Sequence, residues 1–301
     1  MELWIPITLV SAFLQNLRSV GQKHLKSTMG TLGATFVRFA FGLPFSLVFL
    51  ALLHWGAHYG LPSLNTRFVL WSVLAGLSQI GAQFLLIHLF SLRNFAVGTA
   101  YSRTEPAQAA LFGLLFLSET ISVGVLAAIA ICVVGVMLIS VAHTPVNARS
   151  LLTSIFHRTA LIGLASGTAF GVSAVGYRAA SLSLGGPNFL MQAAVTLAFT
   201  LTMQTIIMFA WMIFVDRSEF ERMRRAWKPG LFVGATGATA SLGWFAAMTL
   251  QQAAVVKALA QVEMIFTFAS AVFFFREKVN RLEVAGCTLI VAGIVVLVLL
   301  G

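Results

Sequence analysis

Two stretches decide the fold: YSRTEPAQAALFGLLFLSET, residues 101–120, and LAQVEMIFTFASAVFFFREK, residues 259–278. A shift of 158 residues lays one on the other, placing Glu105 on Glu263 and Glu119 on Glu277. The chain of 301 residues holds only nine acidic ones, so two matches at one offset mark an internal duplication. The same shift pairs Gly76 with Gly234, Leu92 with Leu250, Ala100 with Ala258, Phe116 with Phe274 and Gly135 with Gly293. Toward the start of each half the match thins to Ala12-Phe13 against Ala169-Phe170, at an offset of 157.

Composition says where such a chain lives. Hydrophobic residues make up 59% and charged residues 9%, with a mean hydropathy of +0.93. A soluble domain carries roughly 25% charged residues, so too little charge is present here to coat a globular surface. The chain is an integral membrane protein. No room remains for a soluble nucleotide-binding domain or a disulfide scaffold. The net charge of +10 does not point to nucleic acid, because Lys and Arg collect between apolar runs, as membrane topology requires. Cys132 and Cys287 each lie inside an apolar run and read as packing residues, with neither a bridge nor a metal site expected. Met1-Glu2-Leu3-Trp4 lacks the basic region of a cleavable signal peptide.

A spanning helix needs about 20 mostly apolar residues. Ten segments qualify: 3–22, 31–53, 68–90, 95–117, 121–142, 159–180, 187–215, 230–250, 253–275 and 281–300. The expected fold is therefore all-α and integral to the membrane, ten transmembrane helices arranged as two inverted five-helix repeats. The first repeat covers 1–142, a connecting loop 143–158, and the second repeat 159–301. Five is odd, so the second half enters from the opposite side. Inverted repeats build many secondary transporters, with the site near the midplane. A duplicated scaffold without transport is the plainer alternative.

Two five-span halves, each with a Glu–x13–Glu segment before a Gly-containing final span, resemble the drug/metabolite transporter superfamily in its ten-span, EamA-type branch. Thr104-Glu105-Pro106 through Ser118-Glu119 and Val262-Glu263-Met264 through Arg276-Glu277-Lys278 carry the resemblance, which extends over essentially the whole chain. It implies export of amino acids, aromatic ones included, or of related small metabolites across a bacterial inner membrane by alternating access. It implies a small-molecule substrate and the lipid bilayer as partners, and no cofactor. Export of other metabolites or drugs is the alternative within the class.

Ionisable groups inside a span are costly and face a cavity or a partner. Arg38, Arg103, Glu105 and Glu263 are the candidates for coupling or gating. Pro106 removes a backbone donor and is expected to kink the helix beside Glu105. The cavity candidates are Gln15, Gln83, His88, Tyr101, Trp244, Lys257 and Gln261, with Thr99, Asn16 and Gln79 as neighbours. Glu105 and Glu263 read as binders of a substrate ammonium, as proton carriers or as gate residues. The structural alternative is an ion pair, Arg38 or Arg103 with Glu105 and Lys257 with Glu263. Lys257 and Glu263 are six apart and point to different faces, so each needs a partner on another helix. Glu119 and Glu277 read as helix-end residues, Trp244 as an aromatic wall or a packing residue, and His88 as a core histidine or a titrating group.

Gly163, Gly167 and Gly171 form a small-residue stripe suited to close packing or to a hinge. Gly135 and Gly293 read as peripheral packing or as a homodimer surface. Lys23, Lys26, Arg93, Arg149, Arg158, Arg217, Arg222, Arg224, Arg225, Lys228, Arg276, Lys278 and Arg281 fall in odd-numbered loops, against Arg67 and Arg178 near even ones. The positive-inside rule then puts the odd loops in the cytoplasm. An intramembrane enzyme lacks its motifs: there is no His-Glu-x-x-His, no Gly-x-Ser-x-Gly, and Asp216 is the only aspartate. A channel fits the duplication and its midplane charges less well than a carrier does.

Overall fold

A computed structural model describes residues 2–25, 28–89, 101–141, 158–186, 188–273 and 280–300. The described residues form helices joined by turns and short irregular segments, with no strand among them. Within lipid a backbone must satisfy its own hydrogen bonds, and helices do so within one segment. The helices are α1 (Trp4–Leu25), α2 (Thr31–Ala40), α3 (Gly42–Ala51), α4 (Thr66–Leu89), α5 (Glu105–Leu117), α6 (Val123–Val141), α7 (Arg158–Ser183), α8 (Phe189–Val215), α9 (Ser218–Arg225), α10 (Trp227–Leu250), α11 (Ala253–Leu259), α12 (Val262–Phe273) and α13 (Arg281–Leu300). A π turn, Leu52–Gly56, extends α3.

Seven described segments are long and apolar enough to cross a membrane: Leu32–Gly56, Thr66–Leu86, Val123–Val141, Arg158–Ser183, Phe189–Val215, Trp227–Leu250 and Arg281–Leu299. Of the other three expected spans, the first is the polar-tipped α1, the fourth is represented by the shorter apolar α5, and the ninth is split into α11 and α12. The second expected span is also interrupted, between α2 and α3 at Phe41, whose carbonyl is pressed against Gly234.

The chain divides into two compact units. Unit 1 comprises Met1–Leu77 and Gly176–Gln251, and unit 2 comprises Ser78–Val175 and Gln252–Gly301. Each draws on both halves of the sequence, and the duplication is visible inside each. In unit 2, α6 and α13 form an antiparallel pair. A Cβ on Gly135 would lie 2.7 Å from Gly286 O and 2.9 Å from Ile290 Cγ1, and one on Gly293 would lie 3.1 Å from both Ala128 O and Cys132 N. Subtracting or adding 158 turns the first set of contacts into the second. Two helices that meet this way are related by a half-turn across their crossing point. Gly135 and Gly293 therefore serve the packing of α6 on α13, not a surface between copies. The equivalent N-caps are Ser122, whose Oγ accepts from Val125 N at 3.1 Å, and Asn280, whose Oδ1 accepts from Leu282 N at 2.9 Å. Glu283 closes a capping box by accepting from Asn280 N at 2.9 Å.

Unit 1 repeats the relation. A Cβ on Gly76 would lie 3.6 Å from Thr200 Cγ2, and Gly234 O lies 3.6 Å from a Cβ on Gly42, the same contact after exchange of halves. The connections obey one parity. Glu219, after α8, accepts from Gly30 N after α1, at 3.0 and 3.2 Å. Asn65 Nδ2, before α4, donates to Ser183 O at the end of α7, at 2.6 Å. In unit 2, Gln252 Nε2 donates to Thr120 O at 3.0 Å.

Candidate functional site

Two helices of unit 2 break at equivalent places. Arg103 and Thr104 form a turn before α5 restarts at Glu105, and Ala260 and Gln261 form a turn before α12 restarts at Val262. Both glutamates thereby fall in a first helical turn, where the amide dipoles favour a negative charge. The kink expected at Pro106 is displaced: the break precedes it, and Pro106 sits in the first turn of α5, where no amide hydrogen is needed. Its repeat equivalent is Met264, and the helix breaks there too. Proline is not the cause.

Lys257 on α11 reaches Glu105 on α5, Nζ to Oε1, at 2.9 Å. The approach is that of an ion pair and not of an aligned hydrogen bond. The side chains are 21% and 17% exposed. The partner of Glu105 is thus Lys257, from the other half of the sequence, in place of the Arg38 or Arg103 expected for it. One helical turn after Lys257, Gln261 is 5% exposed; its Nε2 donates to the Lys257 backbone carbonyl at 3.4 Å, and its Oε1 has no hydrogen-bond partner among the described residues. A buried acceptor left open is rare and marks a place for a missing donor.

A polar chain ties the α5 break to α7. Thr168 Oγ1 donates to Gln108 Oε1 at 2.5 Å, Gln108 Nε2 donates to Thr104 Oγ1 at 2.7 Å, and Thr104 Oγ1 donates to the carbonyl of buried Tyr101 at 2.7 Å. Gly167 and Gly171 let this approach happen: a Cβ would lie 3.0 Å from Ser102 O at the first and 3.2 Å from Ala109 N at the second. Arg103 and Glu263 are half-buried at the two breaks, Gln83 is half-buried on α4, and His88 is exposed on its last turn.

In unit 1, Trp244 Nε1 donates to Gln15 Oε1 at 3.0 Å, with Trp244 buried. Arg38 is buried on α2, and buried Arg18 on α1 is an electrostatic neighbour of it, as is Tyr177. A Cβ on Gly237 would lie 3.1 Å from Arg18 Cδ and 3.8 Å from Arg38 Cγ, so both stems cross one bare patch of α10. Tyr177 packs against Phe245 in a tilted pair with centroids 4.3 Å apart, and Gln204 Nε2 lies 3.4 Å from its hydroxyl. Arg18 and Arg178 lie toward the ends of the expected spans 3–22 and 159–180 and are not among the candidates named above. Gln15 and Arg18, three apart, share a helical face, which was a usable signal. Arg178 gave none, because its partners are backbone: Nη1 donates to Met248 O at 2.6 Å and Gln251 O at 2.7 Å, closing the C-terminal end of α10.

Leu92, Arg93, Thr99, Ala100, Phe274, Arg276, Glu277 and Lys278 lie outside the described residues, as do Lys26, Arg149 and the connector through residue 157.

The sequence profile of the EamA-like transporter family matches residues 2–141 and 157–299. No curated protein matches the chain. Solved structures do, 28 chains in all. One of them, described only as a protein crystal structure, superposes with a TM-score of 0.71 at 17% identity, over 99% of this chain and 98% of its own. At that identity the likeness is one of fold.

Proposed function

We propose, for a chain that belongs to the EamA-like transporter family, a specific transport activity: export of amino acids, aromatic ones among them, or of closely related small metabolites, across a bacterial inner membrane. The family makes it a multi-pass membrane transporter of small molecules; substrate, direction and mechanism are the proposal. The observation that carries it is the Lys257–Glu105 pair, seated on two helices that break at repeat-equivalent positions, with the open, buried carbonyl oxygen of Gln261 one helical turn after Lys257. Broken helices inside a bundle are where transporters bind substrate.

A zwitterion complements this site. Its ammonium is drawn to Glu105 and to Gln261 Oε1, and its carboxylate to Lys257, so binding replaces the 2.9 Å contact by two contacts to substrate. The empty site is held by the ion pair and the loaded site by the substrate. A difference of this kind between empty and loaded states is what alternating access requires. Within unit 2, Gln83, His88 and Tyr101 are proposed as substrate-binding residues and Arg103 and Glu263 as coupling or gating residues; within unit 1, Gln15 and Trp244 are proposed as substrate-binding residues and Arg38 as a coupling or gating residue. The ten-span, inverted arrangement is supported by the antiparallel self-equivalent contact of α6 with α13 and by the connections, which join odd to odd and even to even.

Reconstituted liposomes test the reading. Loaded with an unlabelled aromatic amino acid, they should drive saturable counterflow of labelled substrate, and Glu105→Gln and Lys257→Met should abolish it while remaining monodisperse. Flux that neither saturates nor exchanges, or wild-type counterflow in both variants, would overturn it.

A further inference from the structure

The connection from α8 to α10 holds a second site. With the first turn of α10 it carries five cations, Arg217, Arg222, Arg224, Arg225 and Lys228, against the three carboxylates Asp216, Glu219 and Glu221. Its helix, α9, is amphipathic: Phe220 packs edge-on against Phe36 and Phe209, and Met223 is buried. Glu219, also buried, takes Gly30 N with both oxygens and Arg222 Nη1 at 2.6 Å. These contacts fix α9 against the connection between α1 and α2. Between the two lies a pocket of roughly 460 Å³ lined by Thr28, Arg222, Arg225, Ala226 and Pro229.

Where the pocket sits follows from its neighbours. α8 and α10 are both long and apolar enough to span, and so is the segment from Leu32 that follows Thr28. Three spanning segments end around the pocket, so it opens at the face of the bilayer. Trp227, half exposed, carries Lys228 Nζ 5.8 Å above its ring, the amphipathic pairing found at headgroup depth. Arg222 and Arg225 each engage one carboxylate and keep further guanidinium donors, arranged in the fork that suits phosphate oxygens.

We propose that this pocket binds the phosphate of an anionic phospholipid headgroup, with Arg222 and Arg225 as its donors. Occupancy ties α9 to the connection after α1 through the same arginine that holds Glu219. The site is independent of the substrate reading above.

The test uses the full chain in phosphatidylcholine nanodiscs and counts bound lipid by native mass spectrometry as phosphatidylglycerol is added. Phosphatidylglycerol should bind in preference to phosphatidylcholine, and each arginine should contribute about fivefold in affinity. Arg225→Gln should therefore weaken retention about fivefold. Arg224→Gln, at an exposed cation outside the pocket, should leave it unchanged, and it serves as the control for loss of one charge from the same helix. Arg222→Gln also loosens Glu219, so Arg225 is the decisive position. Equal losses at 224 and 225 would mean a diffuse surface charge and overturn the pocket. So would equal binding of both lipids. Inorganic phosphate displacing the lipid at micromolar concentration would make the ligand a soluble anion and overturn the lipid assignment.

Discussion

Adding a single methyl group at the crossing of α6 and α13 tests the duplication physically. Alanine at 135 puts a Cβ 2.7 Å from Gly286 O and 3.0 Å from Ile290 N, where a carbon–oxygen contact relaxes at about 3.3 Å. Neither atom is a side chain that can turn away, so the helices must part by about 0.6 Å. A gap of that order forfeits a quarter or more of the dispersion attraction along the seam, and overpacking of this kind costs about 1–3 kcal/mol. Opposing it is the helix preference of Ala over Gly, about 1 kcal/mol. The net expectation for Gly135→Ala is a loss of about 0–2 kcal/mol. Gly286→Ala, with Gly135 O at 2.5 Å and Ile139 Cγ1 at 2.6 Å, should lose at least as much. Gly293→Ala should lose less, because its tightest neighbour is the Cys132 sulfur and its backbone contacts are 3.1 Å. Gly81, inside α4, meets nothing within 4 Å, so Gly81→Ala shows the helix gain alone. Reversible unfolding in mixed micelles should rank the four variants in that order, with about 2 kcal/mol between Gly135→Ala and Gly81→Ala. If Gly135→Ala and Gly286→Ala unfold within 0.5 kcal/mol of Gly81→Ala, the helices do not meet as described.

Breaking the Lys257–Glu105 pair by Lys257→Met or Glu105→Gln alone should destabilise by about 1–3 kcal/mol, and the double variant should recover part of that loss; additive losses in the cycle would show the two side chains uncoupled. Arg178→Gln removes two charge-assisted bonds, 2.6 and 2.7 Å, from the end of α10, and should cost about 2–4 kcal/mol given its partial exposure. Arg178→Lys should cost about half as much, and a change below about 1 kcal/mol in Arg178→Gln would remove its capping role. Outside the membrane, hydrogen bonds from the Ser218 hydroxyl and amide hold the Asp216 carboxyl below its ordinary range, while Arg224 and Arg225 do the same for Glu221. Depressed carboxyls stabilise the fold above their ordinary pKa values, and that contribution goes as pH falls through the lowered ones. Amide exchange in α9 should therefore hold steady from neutrality to about pH 5 and quicken below about pH 4, with Asp216→Asn quick throughout.

How much the sequence revealed differs between scaffold and site. The 158-residue offset was readable because the residues it pairs share one job: Gly76 and Gly234 each admit the second span of the opposite half, and Gly135 and Gly293 each admit the opposite final span. Glu105 and Glu263 were readable as rare charges in apolar runs. The partner of Glu105 was not, since 152 residues separate it from Lys257 and no periodicity within a helix relates them. The helix break was misattributed because Pro106 is a conspicuous breaker, yet Met264 stands at the equivalent place beside an equivalent break. The clamp of Glu219 on Gly30 left no pattern either, being a side chain closing on a backbone amide 189 residues away.

The same comparison separates scaffold from chemistry. Residues that hold a duplicated fold together stay alike across the offset: glycine meets glycine at 76 and 234 and at 135 and 293, and the N-caps Ser122 and Asn280 are both side-chain acceptors. Around the two breaks only the glutamates and Ala100 with Ala258 match. At the 158-residue offset Lys257 aligns with Thr99, Gln261 with Arg103, and Met264 with Pro106. A half-turn relation obliges the packing to work twice, so packing residues are constrained in pairs. A single zwitterionic substrate has no such symmetry, having one positive and one negative end. A site that binds it must break the equivalence, and the equivalence breaks at Lys257, which pairs with Glu105, and at Gln261 one turn beyond it.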